Sequence, residues 1–230
     1  MTTTLITGAN KGLGHEIARR LVAEGHTVYL GSRDPERGRA AAERLGARPV
    51  VIDVTDDASV TAAAKAIEAD GGLDVLVNNA GIEGTPTPAA DLTADLMRPL
   101  LETNVLGTLR VTHVCLPLLL RSAAPVIVNV SSGLASLTGI TTPGTPAYAY
   151  PGVAYPASKT AVNMLTVQYA KAFPGIRINA VEPGFTATAL NGFRGTQTVE
   201  EGAEIIVRTA LTPPGGPSGG YADINGPIPW

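Results

Sequence analysis

Short apolar runs alternate with helix-patterned stretches almost to the end of the chain, and this alternation leaves few architectures open. Thr2–Thr7, Thr27–Ser32, Pro49–Asp53, Leu73–Asn78, Val126–Ser131 and Ile176–Val181 read as strands. They are continuous apolar runs, as strands buried on both faces should be. Gly12–Glu24 sets Leu13, Ile17 and Leu21 on one helical face, and Gly25 stops it. Pro35–Leu45 has Asp34 as N-cap and Pro35 at its first position. Asp57–Ala69 closes at Gly71-Gly72. Leu92–Leu120 is mostly helical, with Pro99 bending it or marking a break. Ala154–Phe173 ends near Pro174-Gly175, and Thr198–Ala210 carries Glu200 and Glu201 in its first turn, where the helix dipole favours them. A short strand near Gly220–Asp223 completes the series, while 139–156 and 212–229 read as Gly- and Pro-rich loops. Strand–helix alternation with short connections gives an α/β doubly wound parallel sheet with right-handed crossovers. No linker or repeat divides residues 1–230, so one domain is expected.

Composition narrows the function. Of 230 residues, 44% are hydrophobic and 16% charged, which argues against disorder. The net charge of −3 disfavours nucleic acid as a partner, because phosphate contacts want a basic patch. One cysteine, Cys115, and three scattered histidines, His15, His26 and His113, point to no disulfide and no metal site. The Leu116–Leu120 run is interrupted by Pro117 and stopped by Arg121, too short for a membrane span. The first residues lack the basic start of a signal peptide, so a cytoplasmic protein is expected.

Two patterns carry chemistry. The first strand runs into Thr7-Gly8-Ala9-Asn10-Lys11-Gly12-Leu13-Gly14 and then a helix. Glycines there let the backbone turn tightly and approach a pyrophosphate at the helix N-terminus. Farther on, Tyr155 and Lys159 stand four apart, on one helical face. Of the six tyrosines only Tyr155 has a lysine at that offset. A free phenol titrates near pH 10, and an adjacent ammonium is expected to lower that value, giving an acid/base suited to a carbonyl oxygen.

The glycine spacing resembles that of the short-chain dehydrogenase/reductase family. So do Asn78-Asn79-Ala80-Gly81, Asn104 in a long helix, Asn129-Val130-Ser131-Ser132 ending the fifth strand, Tyr155-Pro156-Ala157-Ser158-Lys159, and Asn179-Ala180-Val181-Glu182-Pro183-Gly184. Six motifs in order on the right elements make the resemblance specific, and it covers nearly the whole chain. It implies a Rossmann-type fold and a catalytic set of Asn104, Ser132, Tyr155 and Lys159, with Ser131 as fallback for Ser132. Asn104 would hold a water linking the lysine to solvent. The implied cofactor contacts are Gly8, Asn10, Lys11, Gly12, Leu13 and Gly14, then Asp53 and Val54 around the adenine and Asn79, Ala80 and Gly81 on the adenosine side. Tyr155, Lys159, Pro183, Gly184, Phe185 and Thr188 lie toward the nicotinamide and pyrophosphate.

The second strand ends Ser32-Arg33, without the acid that bonds ribose hydroxyls in NAD enzymes. Arg33, with Ser32, Arg37 and Lys11, is suited to a 2′-phosphate, so NADP (NADPH) is the expected cofactor. The Ser132–Tyr155 separation is longer than in the family's shortest members, which resembles the carbonyl-reductase-like branch. The insert at about 134–154 and a short lid at about 189–197 are expected to shape the pocket. Ser132, Tyr148, Tyr155, Leu190 and Phe193 are the candidate substrate contacts, and few charges there suggest an apolar ketone or aldehyde. NADPH-dependent carbonyl reduction is the expected function, with a small-molecule partner and neither nucleic acid nor membrane; these motifs specify no subunit pairing. A carrier-bound acyl substrate is the second reading, and a non-catalytic nicotinamide sensor the third.

Overall fold

The computed structural model describes residues 1–230. In chain order its elements are β1 (Thr3–Ile6), α1 (Gly12–Ala23), β2 (Thr27–Ser32), α2 (Pro35–Leu45), β3 (Arg48–Val51), α3 (Asp57–Ala69), β4 (Val75–Asn78) and α4 (Ala94–Leu100). A π-helical segment (Leu101–Leu106) leads into α5 (Gly107–Leu119). Then come β5 (Val126–Val130), α6 (Leu137–Thr141), α7 (Ala154–Ala172), β6 (Arg177–Val181), α8 (Val199–Ala210), β7 (Tyr221–Asp223) and β8 (Gly226–Pro227).

All eight strands form one sheet, ordered β3-β2-β1-β4-β5-β6-β7-β8. Every pairing is parallel except β7–β8. Successive strand residues point to opposite faces, and the core divides accordingly. Ile6, Val28, Val77 and Val128 pack with Ile17 and Leu21 of α1 and Ile206 of α8. Leu5, Leu76, Ile127 and Ile178 pack with Ile67 of α3 and Val111 and Leu119 of α5. Both faces are covered, which is why the strands read as unbroken apolar runs.

The helix ends follow the sequence signals. Asp34 caps α2 by accepting from Arg37 N at 3.0 Å. Thr198 and Glu201 form a reciprocal capping box at α8, at 3.2 and 2.8 Å.

Strand order reverses between β1 and β4, so the crevice beyond their carboxyl ends is where such a sheet takes a ligand. The chain returns there after each central strand.

Three features differ from expectation. Pro99 lies inside α4 without ending the helix; the hydrogen-bond register instead widens to π over the next six residues. The 134–154 insert is not all loop: a 3-10 turn (Gly133–Ala135) leads into α6, where Ser136 caps by accepting from Gly139 N at 2.9 Å. The Gly- and Pro-rich end folds back as the short antiparallel hairpin β7–β8.

Candidate active site

The glycine loop leaves β1 and crosses the carboxyl end of β4. Gly8 has φ +64°, and a Cβ there would lie 3.0 Å from Ala80 Cα. A Cβ on Gly14 would come within 2.5 Å of Asn79 Nδ2 and 2.7 Å of Gly8 O. Neither position admits a side chain. Asn79 fastens the loop from below: its Nδ2 donates to Thr7 O (2.9 Å) and Gly8 O (3.2 Å). Asn79 N and Ala80 N both donate to Thr7 Oγ1 at 3.0 Å. Asn79 therefore shapes the cradle. Gly12 faces Thr188, whose Cγ2 would be 3.6 Å from a Cβ at Gly12, so the loop and the start of the lid meet.

At the end of β2, Ser32 is buried and its Oγ donates to Asp34 O at 2.9 Å, holding the turn. Asp34, the acid one residue past Arg33, is spent on the α2 cap and on Arg37, whose Nε lies 3.1 Å from its Oδ2. Arg33 and Lys11 stay exposed. Asp53 Oδ1 accepts from Thr55 N and Oγ1 at 2.9 and 2.7 Å, and these bonds hold its carboxyl below the usual range. Val54 is buried beside Gly107.

Asn104 belongs to the π segment, and π turns recur at functional sites. Its side chain accepts from Ile82 N (2.9 Å) and donates to Ile82 O (2.9 Å) and Ser158 Oγ (3.0 Å). It thus ties the strand-end loop at 81–83 to α7. A Cβ on Gly81 would lie 3.3 Å from Asn104 Oδ1 and 3.6 Å from Lys159 Nζ, so Asn104 and Lys159 converge on that glycine.

The two serines at the end of β5 separate cleanly. Ser131 is buried, and its hydroxyl donates to Asn163 Oδ1 at 2.6 Å. Ser132 is only partly buried; its Oγ accepts from Leu134 N at 3.3 Å and lies near enough to the Tyr155 phenol to favour its ionised form. Lys159 Nζ donates to Val130 O at 2.7 Å and sits 5.8 Å from the centre of the Tyr155 ring.

The electrostatics differ from the expected ammonium effect. Burial raises the Tyr155 pKa, the Glu83 carboxylate raises it further, and the Ser132 hydroxyl pulls it down in part. Burial also lowers Lys159 to about 8, so its ammonium is still mostly protonated at neutral pH, yet burial and Glu83, not this lysine, dominate the shift of the Tyr155 phenol. The phenol stays protonated at neutral pH, the form that donates a proton.

Of the insert tyrosines, Tyr148 is 55% exposed. Tyr150 instead sits near Tyr155 and donates to Glu83 Oε1 at 3.3 Å. Burial first, then Glu83, pushes the Tyr150 phenol up to about 12. Phe185 and, in the 189–197 segment, Leu190 and Phe193 expose apolar area. Behind them Gln197 fastens the Pro183-Gly184 turn, donating to Pro183 O and to Thr186 Oγ1. Glu83 and the partners of Tyr150 and Gln197 escape a reading of motifs because none of them lies in a recurrent pattern. Proximity across the fold alone reveals them.

The short chain dehydrogenase family model matches residues 2–198. Short-chain dehydrogenase/reductase 1 of Saponaria officinalis is 36% identical, with 98% of this chain and 95% of that protein covered. That alignment runs over 290 positions against 230 residues here, so the relative carries residues at positions where this chain has none. The (+)-neomenthol dehydrogenase of Arabidopsis thaliana is 34% identical, with 91% of each chain covered. Among solved structures, salutaridine reductase from Papaver somniferum overlays with TM-score 0.85 at 31% identity, over 97% of this chain and 100% of that one. NADPH-bound carbonyl reductase from chicken fatty liver overlays with TM-score 0.87 at 27% identity, over 100% and 99%. With these motifs on these elements, the chain belongs to the short-chain dehydrogenase/reductase family.

Proposed function

We propose that the chain is a cytoplasmic NADPH-dependent carbonyl reductase, one domain that converts a small ketone or aldehyde to an alcohol. The observation that carries this reading is the meeting of Tyr155, Ser132 and Lys159 beside the glycine loop. The cradle fits a dinucleotide: Gly8 and Gly14 leave room where side chains would clash, and Asn79 holds the backbone in shape. Gly8, Asn10, Lys11, Gly12, Leu13 and Gly14 would hold the pyrophosphate side, and Asp53, Val54 and Asn79–Gly81 the adenosine. Lys159, Pro183, Gly184, Phe185 and Thr188 would hold the nicotinamide side. Arg33 would meet the 2′-phosphate, aided by Lys11 and Arg37. The commitment of Asp34 to its cap supports NADP, because no free acid competes at that strand end. The NADPH in the chicken carbonyl reductase structure, and the NADP in that of a gluconate 5-dehydrogenase from Burkholderia cenocepacia at 28% identity, point the same way.

When bound, NADPH supplies the hydride. Tyr155 donates its phenolic proton to the carbonyl oxygen, and the Ser132 hydroxyl bonds the same oxygen, favouring the charge that develops there. Lys159 and Asn104, which converge at Gly81, form the route by which the phenol regains its proton. At the mouth, Phe185, Leu190 and Phe193 give apolar area while the Tyr150–Glu83 pair gives one polar edge.

A carbonyl screen following NADPH absorbance, with NADH in parallel, tests the reading. Turnover should favour NADPH by about ten- to a hundredfold, the worth of a charged phosphate contact. Tyr155→Phe should lose about 10²-fold or more while still binding NADPH. Near-normal turnover by Tyr155→Phe, or equal binding of both cofactors, would overturn it.

A further inference from the structure

The end of the chain folds onto the turn that carries Ser132. Tyr221, at the start of β7, is 3% exposed, and its hydroxyl donates to Ser132 O. The same carbonyl accepts from Ala135 N at 2.9 Å, closing the Gly133–Ala135 turn. The Tyr221 ring stacks on Trp230, with centroids 5.3 Å apart and planes 22° apart. Trp230 is held in turn: its carbonyl accepts from Thr138 N (3.0 Å) and Thr138 Oγ1 (2.8 Å), and Pro229 O accepts from Ser136 Oγ (2.6 Å). Ile228 packs on the small core formed by Ala135, Ala180 and Tyr221.

Other ties on this segment are few: Gly220 N donates to Asn179 Oδ1 (2.9 Å), and Arg208 reaches Asp223 O and Ile224 O (3.4 and 3.3 Å). β7 meets β6 at two register positions, and β8 meets β7 at two. The polar contacts of residues 228–230 to other segments fall on Ser136 and Thr138, just past Ser132. Ser131 is pinned from the other side by Asn163 of α7. The strand end is thus gripped at two consecutive residues, by α7 through a side chain and by β7 through a main-chain carbonyl. A hydroxyl that must meet a carbonyl oxygen at hydrogen-bond distance tolerates little drift of its backbone.

We infer that Tyr221 is a positioning residue for Ser132, and that the stack with Trp230 is the latch that keeps it in place. This rests on the reading of Ser132 as the group that bonds the substrate's carbonyl oxygen. Tyr221 acts on the reaction through the Ser132 backbone.

The test compares Tyr221→Phe, Trp230→Phe, Trp230→Ala, Ser132→Ala and the double variant Ser132→Ala/Tyr221→Phe in the full chain. Tyr221→Phe keeps the stack and removes one hydroxyl. It should lower kcat about tenfold, the equivalent of one hydrogen bond, with KM and NADPH affinity within about twofold. Trp230→Ala should do the same, while Trp230→Phe, which preserves a stack, should match the parent. Tyr221→Phe added to Ser132→Ala should cost nothing further, because the residue through which it acts is gone. Independently of activity, hydrogen exchange at Ala135 N–H should quicken in Tyr221→Phe while α7 amides do not change. The emission of Trp230, the chain's one tryptophan, should stay as in the parent. Parental kcat and exchange in Tyr221→Phe, or a loss that multiplies onto that of Ser132→Ala, would overturn the inference and leave the proposed function standing. A Ser132→Ala variant with full activity would instead overturn the role of Ser132 on which both rest. Should Tyr221→Phe fold poorly, the contrast between Trp230→Ala and Trp230→Phe decides.

Discussion

Lys159 is 5% exposed, faces no carboxylate at salt-bridge distance, and has Val130 O as its hydrogen-bond partner. Burying a charge in this way costs stability, and the cost appears as the fall of its pKa from 10.5 to about 8. The unfolded chain binds the proton more tightly, so this residue's contribution improves as pH rises from about 8 to about 10.5 and is at its worst below 8. Lys159→Met keeps the stem and removes the charge. At pH 7 it should raise Tm by about 2–4 °C, equivalent to about 1 kcal/mol after the lost bond to Val130 O is counted. It should also abolish turnover. Melts repeated toward pH 10.5 should show the advantage shrinking; a gain that does not change with pH would mean that packing, not charge, is the cause. The most damaging site residue for stability would then be one the reaction needs, as expected where function opposes stability.

The lid shows the same tension in its backbone. Phe193 has φ +61°, the one non-glycine residue in the left-handed region, and it is 71% exposed. For an L-residue that conformation costs about 1–2 kcal/mol, and asparagine bears it more easily. Phe193→Asn loses little burial, so it should raise Tm by about 1–3 °C. It should also weaken KM for bulky ketones and leave NADPH affinity unchanged; a lower Tm would show that the ring packs more than its exposure implies. Most elements were legible in the sequence, because caps, glycine stops and apolar runs act locally. Asp34, Thr198 and Gly25 sit where those signals put them, and strand ends differ by a residue or two. The site's frame was legible too, since Tyr155, Lys159, Ser132 and Gly8–Gly14 lie in compact motifs. What escaped depends on distance through space. The π register after Pro99 has no local code, Tyr150 lies near Tyr155 in a fold where a Cβ at Gly152 would strike the Tyr150 ring, and burial reversed the direction expected for the Tyr155 pKa.

At the scale of the whole molecule, the two faces of the sheet are built differently. The α1/α8 face centres on an apolar cluster around Ile6, Val77, Val128 and Ile206. The other carries a buried polar ladder under the crevice: Asn78 Nδ2 donates to Asn129 Oδ1 (2.9 Å) and Thr112 Oγ1 (3.0 Å), and Asn129 Nδ2 donates to Thr166 Oγ1 (2.8 Å). Asn78 and Asn129 face each other at the carboxyl ends of β4 and β5, each just before a site motif, so the ladder joins the dinucleotide side to the catalytic side. Asn78 Oδ1 has no partner, so the ladder is already incompletely satisfied. Breaking it at one point leaves a second buried amide without its partner, a cost of about 1–3 kcal/mol, whereas removing both amides deletes the unmet demand along with the bond. Asn78→Val and Asn129→Val should each lower the denaturation midpoint. The double variant should be at least about 1 kcal/mol more stable than the sum of the two losses implies, since residues in one network do not add. Urea melts of the four proteins measure that coupling directly. Simple additivity would mean that the two strand ends are held by their backbone pairing alone, and that the asparagines stand side by side without acting together.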